Sequence, residues 1–175
     1  MQFTQYWSGD GVLVIGVAAP ASRPEARLHL RQAVREAAAQ WLKLEIDAIS
    51  AESTPGQPPR LLLAGRAAGL SLSHDEGLSL AAIHLRGPVG IDVMRMQDLP
   101  DWVNLARDYL GPQVAQALAA CPDAQRPLAL AQAWTAREAA LKCAGRQLAE
   151  WDARPFDCHL QPLPLPAPYV ATLAY

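Results

Sequence analysis

One nine-residue stretch constrains the fold of this chain more than any other: residues 134–142 read Trp-Thr-Ala-Arg-Glu-Ala-Ala-Leu-Lys. On a helix, Trp134, Glu138 and Lys142 lie four residues apart and share one face. A carboxylate there is unusual for a core stripe, because its burial is costly unless a cation or hydrogen bonds compensate. A second carboxylate, Asp92, follows an apolar strand. Two carboxylates from separate elements and a lysine can hold one hard divalent cation and a phosphate.

The composition indicates a folded, soluble protein. With 51% hydrophobic residues, the 175-residue chain can bury a core as one domain or as two small halves. The net charge of −2 gives no basic footprint, so nucleic-acid binding is not expected. The apolar run at residues 12–19 is too short to span a membrane, so no membrane partner is expected either.

The cysteines and the first residues indicate a cytoplasmic location. The three cysteines include no Cys-x-x-Cys pair, which argues against a disulfide framework or a zinc site and favours a reducing compartment. Residues 1–7 lack the basic region that begins a signal peptide.

Hydrophobic periodicity and turn residues predict strands, helices and loops in both halves of the chain. The first half is predicted to hold a helix at 24–42, which Ser22 could cap, a loop at 54–60, and strands at 11–19, 45–49, 70–73 and 78–85. The second half is predicted to hold helices near 102–110 and 112–120, a long helix at 127–144 that ends at Gly145, a Pro-rich loop at 161–168, and strands at 89–94, 156–160 and 169–173.

Each half therefore shows a strand, a long helix and further strands. This order predicts an α+β fold of two similar α/β lobes in a pseudo-two-fold arrangement, each a small sheet packed on a long helix. The N-terminal lobe would span residues 1–87 and the C-terminal lobe residues 88–175, in one compact unit with the active site between them. Since both lobes lie in one chain, a monomer is expected. No internal sequence repeat supports the symmetry, which is a topological hypothesis.

Four segments, in this order, resemble the signatures of the 4′-phosphopantetheinyl transferases, and their spacing resembles the two-lobed, single-chain subgroup. They are Gly56-Gln57-Pro58, the Ser73-His74 pair within residues 70–74, Gly90-Ile91-Asp92, and Trp134-Thr135-x-x-Glu138-x-x-x-Lys142-x-x-Gly145. The resemblance implies transfer of the phosphopantetheine arm of coenzyme A to a serine of an apo acyl, polyketide or peptidyl carrier protein, as in lipid or secondary-metabolite biosynthesis. Adenosine 3′,5′-bisphosphate would be released, and Mg²⁺ would bind the pyrophosphate.

The same resemblance assigns roles to single residues. Asp92 and Glu138 would ligate the metal, Glu138 would also be the general base, and Lys142 would contact the phosphates. Further coenzyme A contacts are expected in the first lobe. Arg27 or Arg31 would meet the 3′-phosphate, and Arg60 is a possible phosphate contact inferred from spacing alone. These candidate contacts are Ser73, His74, Arg27, Arg31, Gln57, Pro58 and Arg60.

Two positions depart from the family pattern. Met94 stands where the two-lobed subgroup usually has a second acid, and a thioether is a poor ligand for Mg²⁺. Strand alternation still points Asp92 and Met94 to the same side, so a water would complete the metal's ligands and weaker metal affinity is expected. Gln57 replaces the usual lysine of the adenine-side loop.

Three other interpretations stay open. The chain could be a degenerate module that binds coenzyme A or a carrier protein without turnover, as Met94 and Gln57 would allow. It could be an unrelated Mg²⁺-dependent phosphate enzyme, although no P-loop, Gly-x-Gly-x-x-Gly or His-Glu-x-x-His pattern supports this. Finally, Glu138 and Lys142 could form an ordinary helical ion pair, and Arg27 and Arg31 could belong to a solvated helix face.

Overall fold

The structure is a computed structural model that describes residues 2–18, 22–54 and 57–175. Strands from the first half form one antiparallel sheet: β1 (Thr4–Gly9), β2 (Val12–Ala18), β3 (Ile49–Glu52), β4 (Arg60–Leu63), β5 (Arg66–Asp75) and β6 (Leu78–His84). Their order across this six-stranded sheet is β1-β2-β6-β5-β4-β3. The central strands β2 and β6 are buried along nearly their whole length, as their continuous apolar sequences require.

Helix α1 (Arg23–Leu42) packs on this sheet through a stripe of apolar residues. Leu30, Val34 and Ala38 recur every four residues, are fully buried, and contact the core together with Ile15 and Ile83. Ser22 occupies the N-cap position, but its side chain makes no capping hydrogen bond there. The described part of the predicted strand at 11–19 ends at residue 18, because residues 19–21 lie outside the described ranges.

The second half forms a smaller sheet under a second long helix. Strands β7 (Gly90–Arg95), β8 (Leu160–Leu163) and β9 (Tyr169–Ala174) run antiparallel in the order β7-β9-β8. Helix α4 (Arg126–Cys143) packs on β7 and β9. Gly145, at φ +64°, ends this helix as predicted, because the Arg146 N–H donates to the Leu141 carbonyl at 2.8 Å.

Between β7 and α4 the chain forms helix α2 (Trp102–Leu105), a π-helical turn (Ala106–Leu110) and helix α3 (Pro112–Ala120). These elements bury a separate small cluster against α4, centred on Leu110, Leu118 and Leu130. None of the helices in the described ranges has both the length and the apolar character needed to cross a membrane.

The predicted strand at 45–49 is wrong. Residues Ile46–Ala48 form a short 3₁₀ helix, and strand β3 begins only at Ile49. The Arg35 side chain of α1 explains the difference, because its guanidinium donates to the carbonyl of Ile46 at 3.1 Å and to that of Ile49 at 3.0 Å. Both carbonyls therefore face α1, and the Ile46 carbonyl also accepts from the Ile49 N–H, which closes the 3₁₀ turn.

The predicted strand at 156–160 is wrong except at its last residue, and the loop predicted at 161–168 is confirmed only over 164–168. The strand is β8, Leu160–Leu163, although it contains Pro162. Proline lacks an N–H and is tolerated only where no ladder donor is needed. Because β8 pairs with β9 alone, it is an edge strand whose outer side needs no such donor.

The α+β class is confirmed, and each sheet packs on one long helix. The two sheets differ in size, with six strands in one and three in the other. The pseudo-two-fold relation between two similar lobes therefore stays a prediction, as does a boundary between residues 87 and 88.

Gly90 sets how closely α4 approaches β7. A Cβ built on Gly90 would lie 1.9 Å from the carbonyl oxygen of Ala139 and 2.6 Å from the amide nitrogen of Cys143, both in α4. Any side chain at this position would push the helix away from the strand. The glycine of the Gly90-Ile91-Asp92 segment is therefore a packing requirement.

We expect Gly90→Ala to lower the free energy of unfolding by about 2–3 kcal/mol, because backbone rather than a flexible side chain blocks the new methyl group. Urea unfolding measures the change. Gly87→Ala is the matched control, since a Cβ there would meet its nearest neighbour, the His84 ring, at 3.4 Å. Equal stabilities of the two variants would contradict this account of the α4–β7 contact.

Candidate active site

The two sheets are joined by side chains of β5 that accept hydrogen bonds from the backbone of β7. Strand β7 pairs with β9 on one side only, so the N–H groups on its other side need different partners. Alternate residues of β5 supply them, and we call these residues the acceptor row: Ser71, Ser73 and Asp75. Ser71 Oγ accepts from the Ile91 N–H at 3.0 Å, Ser73 Oγ from the Val93 N–H at 3.2 Å, and Asp75 Oδ2 from the Arg95 N–H.

This junction places Asp92 inside the protein, where it is 7% exposed. Its Oδ1 accepts a hydrogen bond from Ser73 Oγ at 2.8 Å and an ion-pair contact from Lys142 Nζ at 2.7 Å. The Lys142 ammonium also donates to the Ile91 carbonyl at 3.0 Å and lies 3.5 Å from Ser73 Oγ. Three oxygens therefore satisfy the partly buried ammonium and compensate its partial desolvation.

Glu138 lies one helical turn before Lys142 on α4 and is half-buried. Burial raises the pKa of Glu138 above its ordinary value of 4.5, and the negative charge of Asp92 raises that pKa further. Lys142 opposes the shift by stabilising the ionised form. The structure thus brings together the three residues that the sequence predicted as catalytic, since Asp92 contacts Lys142 and interacts electrostatically with Glu138.

The two carboxylates fit a hard divalent cation. Two like charges in one half-buried site repel each other, and a cation between them would relieve the repulsion. None of the described residues hydrogen-bonds Oδ2 of Asp92, so this oxygen remains available as a ligand. Among the described residues no group of three His, Cys, Asp or Glu side chains could hold a metal. A divalent cation held by these two carboxylates would need water or phosphate oxygens to complete its ligands.

A cleft of about 460 Å³ opens beside Lys142, between the first-half sheet and the end of α4. Five of the predicted site residues line it: Arg27, Gln57, Pro58, His74 and Lys142. The described lining includes no Asp or Glu, while three of its side chains are cationic. We call it the cationic cleft; its charge suits an anionic ligand.

His74 is oriented within this cleft, because its Nδ1 and the buried hydroxyl of Ser79 are 2.8 Å apart. Three other predicted contacts lie elsewhere. Ser73 is not a lining residue but contacts Lys142. Arg31 is not a lining residue either; it donates to the carbonyl of Ser53, which does line the cleft, at 3.3 Å. Arg60 lines a different depression on β3 and β4. Gly56, the first residue of the Gly56-Gln57-Pro58 segment, lies outside the described residues.

Arg146 also lines the cleft, and the sequence did not predict this cation as a site residue. Its guanidinium pairs with Asp152 at 2.7 Å and lies 5.0 Å from the centre of the Phe156 ring. Arg137 lies at the same distance from that ring, so the segment after α4 is fastened to the helix. Arg146 could have been found from its position in the sequence, one residue after the cap Gly145 and four residues after Lys142.

A model of the 4′-phosphopantetheinyl transferase superfamily matches residues 88–174. The chain belongs to this superfamily through its C-terminal half. This match includes Asp92, Glu138 and Lys142, whereas Arg27, Gln57 and the other predicted coenzyme A contacts precede it. The family acts on carrier proteins with coenzyme A and typically uses a divalent metal.

Two curated relatives carry the same family name. The 4′-phosphopantetheinyl transferase HetI of Nostoc sp. is 31% identical over 80 residues, which are 46% of this chain and 34% of HetI. The protein slr0495 of Synechocystis sp., provisionally named as a transferase of the same kind, is 29% identical over 91 residues, 52% of this chain and 37% of its own length. The chain therefore aligns with only about a third of the length of each relative.

We expect Glu138→Gln to raise the melting temperature at neutral pH in metal-free buffer. Because the pKa of Glu138 is raised in the folded state, that state holds the proton more tightly than the unfolded chain. The stabilising contribution is therefore complete below pH 4.5 and is lost as pH rises through the higher, folded-state pKa. Glutamine keeps the neutral form at every pH.

Thermal unfolding from about pH 4 to pH 8 in the presence of EDTA checks this expectation. The variant should gain a few degrees over the wild-type protein at the upper end of the range and lose the advantage at the lower end. Glu150→Gln, at an exposed carboxylate of the same half, is the control. A melting temperature of Glu138→Gln below that of the wild type at neutral pH would show that the ionised carboxylate stabilises the fold.

Proposed function

We propose that this protein transfers the 4′-phosphopantetheine arm of coenzyme A to a serine hydroxyl of an apo carrier protein and releases adenosine 3′,5′-bisphosphate. The observation that carries the proposal is the contact of Lys142 with Asp92 at the wall of the cationic cleft, with Glu138 one helical turn away. The family match to residues 88–174 supports the same reaction.

The cleft suits the nucleotide end of coenzyme A. Arg27 from α1 and His74 from β5 would meet phosphate oxygens on the side of the larger sheet, and Gln57 and Pro58 would lie beside the adenine. Lys142 enters from the smaller sheet's side and would contact the pyrophosphate. A positive group held at that point stabilises the charge that develops on the leaving phosphate.

Glu138 is the candidate general base. A serine hydroxyl is a weak nucleophile, so its attack on phosphorus benefits from a carboxylate that accepts the proton. The raised pKa of Glu138 brings its basicity closer to neutral pH, where proton acceptance is most effective. Asp92 and Glu138 would also hold Mg²⁺, which supplies charge stabilisation to the phosphates when bound.

Intact-mass spectrometry tests the reaction directly. A panel of apo acyl, polyketide and peptidyl carrier proteins is incubated with the protein, coenzyme A and Mg²⁺. We expect one carrier class to gain the mass of one phosphopantetheine group, and Glu138→Ala to slow this gain by at least about 100-fold, as loss of a general base does. Glu150→Ala, at an exposed carboxylate of the same half, should transfer at the wild-type rate.

A failure to modify any carrier while coenzyme A still binds would overturn the proposal. That result would favour a degenerate module that binds coenzyme A or a carrier without turnover. Met94 and Gln57, which replace an acid and a lysine of the family pattern, motivate this alternative.

Met94 generates a separate prediction about the metal. It follows Asp92 by two residues on β7, so both side chains leave the strand on the same side. Met94→Glu would add a hard oxygen ligand where a water is expected. We expect this variant to reach half-maximal transfer at a Mg²⁺ concentration at least about ten-fold lower, comparable with the metal-affinity effects of changing a ligand's surroundings.

Initial rates over a Mg²⁺ titration measure the effect. Met96→Glu is the control, because Met96 is an exposed methionine just beyond the strand. If Met94→Glu leaves the Mg²⁺ requirement unchanged, the side chain at position 94 does not reach the metal.

A further inference from the structure

The hydroxyl group of Ser73 lies between the two charged groups of the site. Its Oγ donates to Asp92 Oδ1 at 2.8 Å, accepts from the Val93 N–H at 3.2 Å, and lies 3.5 Å from Lys142 Nζ. Ser73 belongs to the larger sheet, whereas these three partners belong to β7 and α4. It is therefore the member of the acceptor row that touches both Asp92 and Lys142.

The hydrogen-bonding capacity of this hydroxyl is fully used. A serine hydroxyl carries one proton and two acceptor positions. The proton goes to Asp92, and the two acceptor positions face the backbone of Val93 and the ammonium of Lys142. The residue is 6% exposed and does not line the cationic cleft. A ligand in the cleft would have to break one of these contacts to reach Ser73.

We propose that Ser73 is a positioning residue that fixes the carboxylate of Asp92 and the ammonium of Lys142 across the two sheets, and that it does not bind coenzyme A. The inference rests on the proposed function for its kinetic consequences. Two bonds to Oδ1, from Ser73 and Lys142, orient the Asp92 carboxylate so that Oδ2 is left for a metal. Without the hydroxyl, the Asp92 carboxylate keeps, among the described residues, only the flexible lysine as a hydrogen-bond partner.

The acceptor row supplies a matched pair of variants. Ser73→Ala and Ser71→Ala each remove one buried hydroxyl that accepts a β7 N–H, and the two residues are 6% and 4% exposed. Both variants should therefore lower the melting temperature, and Ser73→Ala should lower it further because it also loses the bond to Asp92. None of the hydrogen bonds that Ser71 makes with the described residues involves Asp92 or Lys142, so only Ser73→Ala should disturb the orientation of the charged pair.

The experiment combines calorimetry with steady-state kinetics. The dissociation constants of Mn²⁺ alone and of coenzyme A alone are measured for the wild-type protein and both variants, followed by kcat and KM for coenzyme A. For Ser73→Ala we expect Mn²⁺ affinity and kcat each to fall about 10–100-fold, as when a group that orients a metal ligand is lost. Its KM and dissociation constant for coenzyme A should stay within about two-fold.

Two further results support the inference. Ser71→Ala should bind Mn²⁺ as the wild type does, although it also loses a bond to a β7 N–H and its melting temperature falls. Ser73→Thr keeps the hydroxyl group and should recover most of the lost Mn²⁺ affinity.

Other results would overturn it. Weaker coenzyme A binding by Ser73→Ala with unchanged Mn²⁺ affinity would make Ser73 a direct substrate contact. Equal losses of Mn²⁺ affinity in the two alanine variants would reduce Ser73 to a general structural role. If the wild-type protein modifies no carrier, the proposed function fails, yet the Mn²⁺ comparison still decides the positioning role.

Discussion

The site depends on the way β7 docks against β5. A backbone ladder would join two strands whatever their side chains, but here the N–H groups of β7 donate to the side chains of Ser71, Ser73 and Asp75. The docking of β7 therefore depends on the side chains of β5, because a residue at one of these alternate positions must carry an acceptor to satisfy a β7 N–H group. An apolar residue in the row would leave a buried N–H without a partner, at a cost of about 1–3 kcal/mol.

The charges gathered at this junction are better explained by chemistry than by stability. The ion pair of Asp92 with Lys142 is partly buried, and such pairs often contribute little net stability, since desolvation offsets their attraction. The surroundings of Glu138 disfavour its ionised form, because burial and the charge of Asp92 both raise its pKa. Lys142 lines the cationic cleft, and the carboxylate of Asp92 holds its ammonium from behind, with Glu138 one helical turn away. This charge distribution suits phosphoryl transfer.

The sequence predicted the structure correctly where a local periodicity of residues determines it. Helical spacing predicted α1, α4 and the shared face of Glu138 and Lys142, and Gly145 marked the end of α4. It was insufficient where a distant partner decides the conformation. Pro162 suggests a loop unless β8 is known to be an edge strand, and Arg35 directs the carbonyls of residues 46 and 49 from another element. Strand β1 was also missed, although Asp10 and Gly11, both at positive φ, are typical of the hairpin turn that joins it to β2.

The same distinction separates two kinds of functional residue. Asp92, Glu138 and Lys142 lie within the part of the chain that matches the family model, and their resemblance to the family's signature segments made them candidates. The cleft also needs Arg27, Gln57 and His74, which precede the match and come close to Lys142 only through folding. A catalytic group must keep its chemistry, whereas a wall that holds phosphates can do so with several cationic or hydrogen-bonding residue types. The second-half residues therefore indicate the reaction class, while the first-half residues of the cleft are expected to determine how tightly the nucleotide is held.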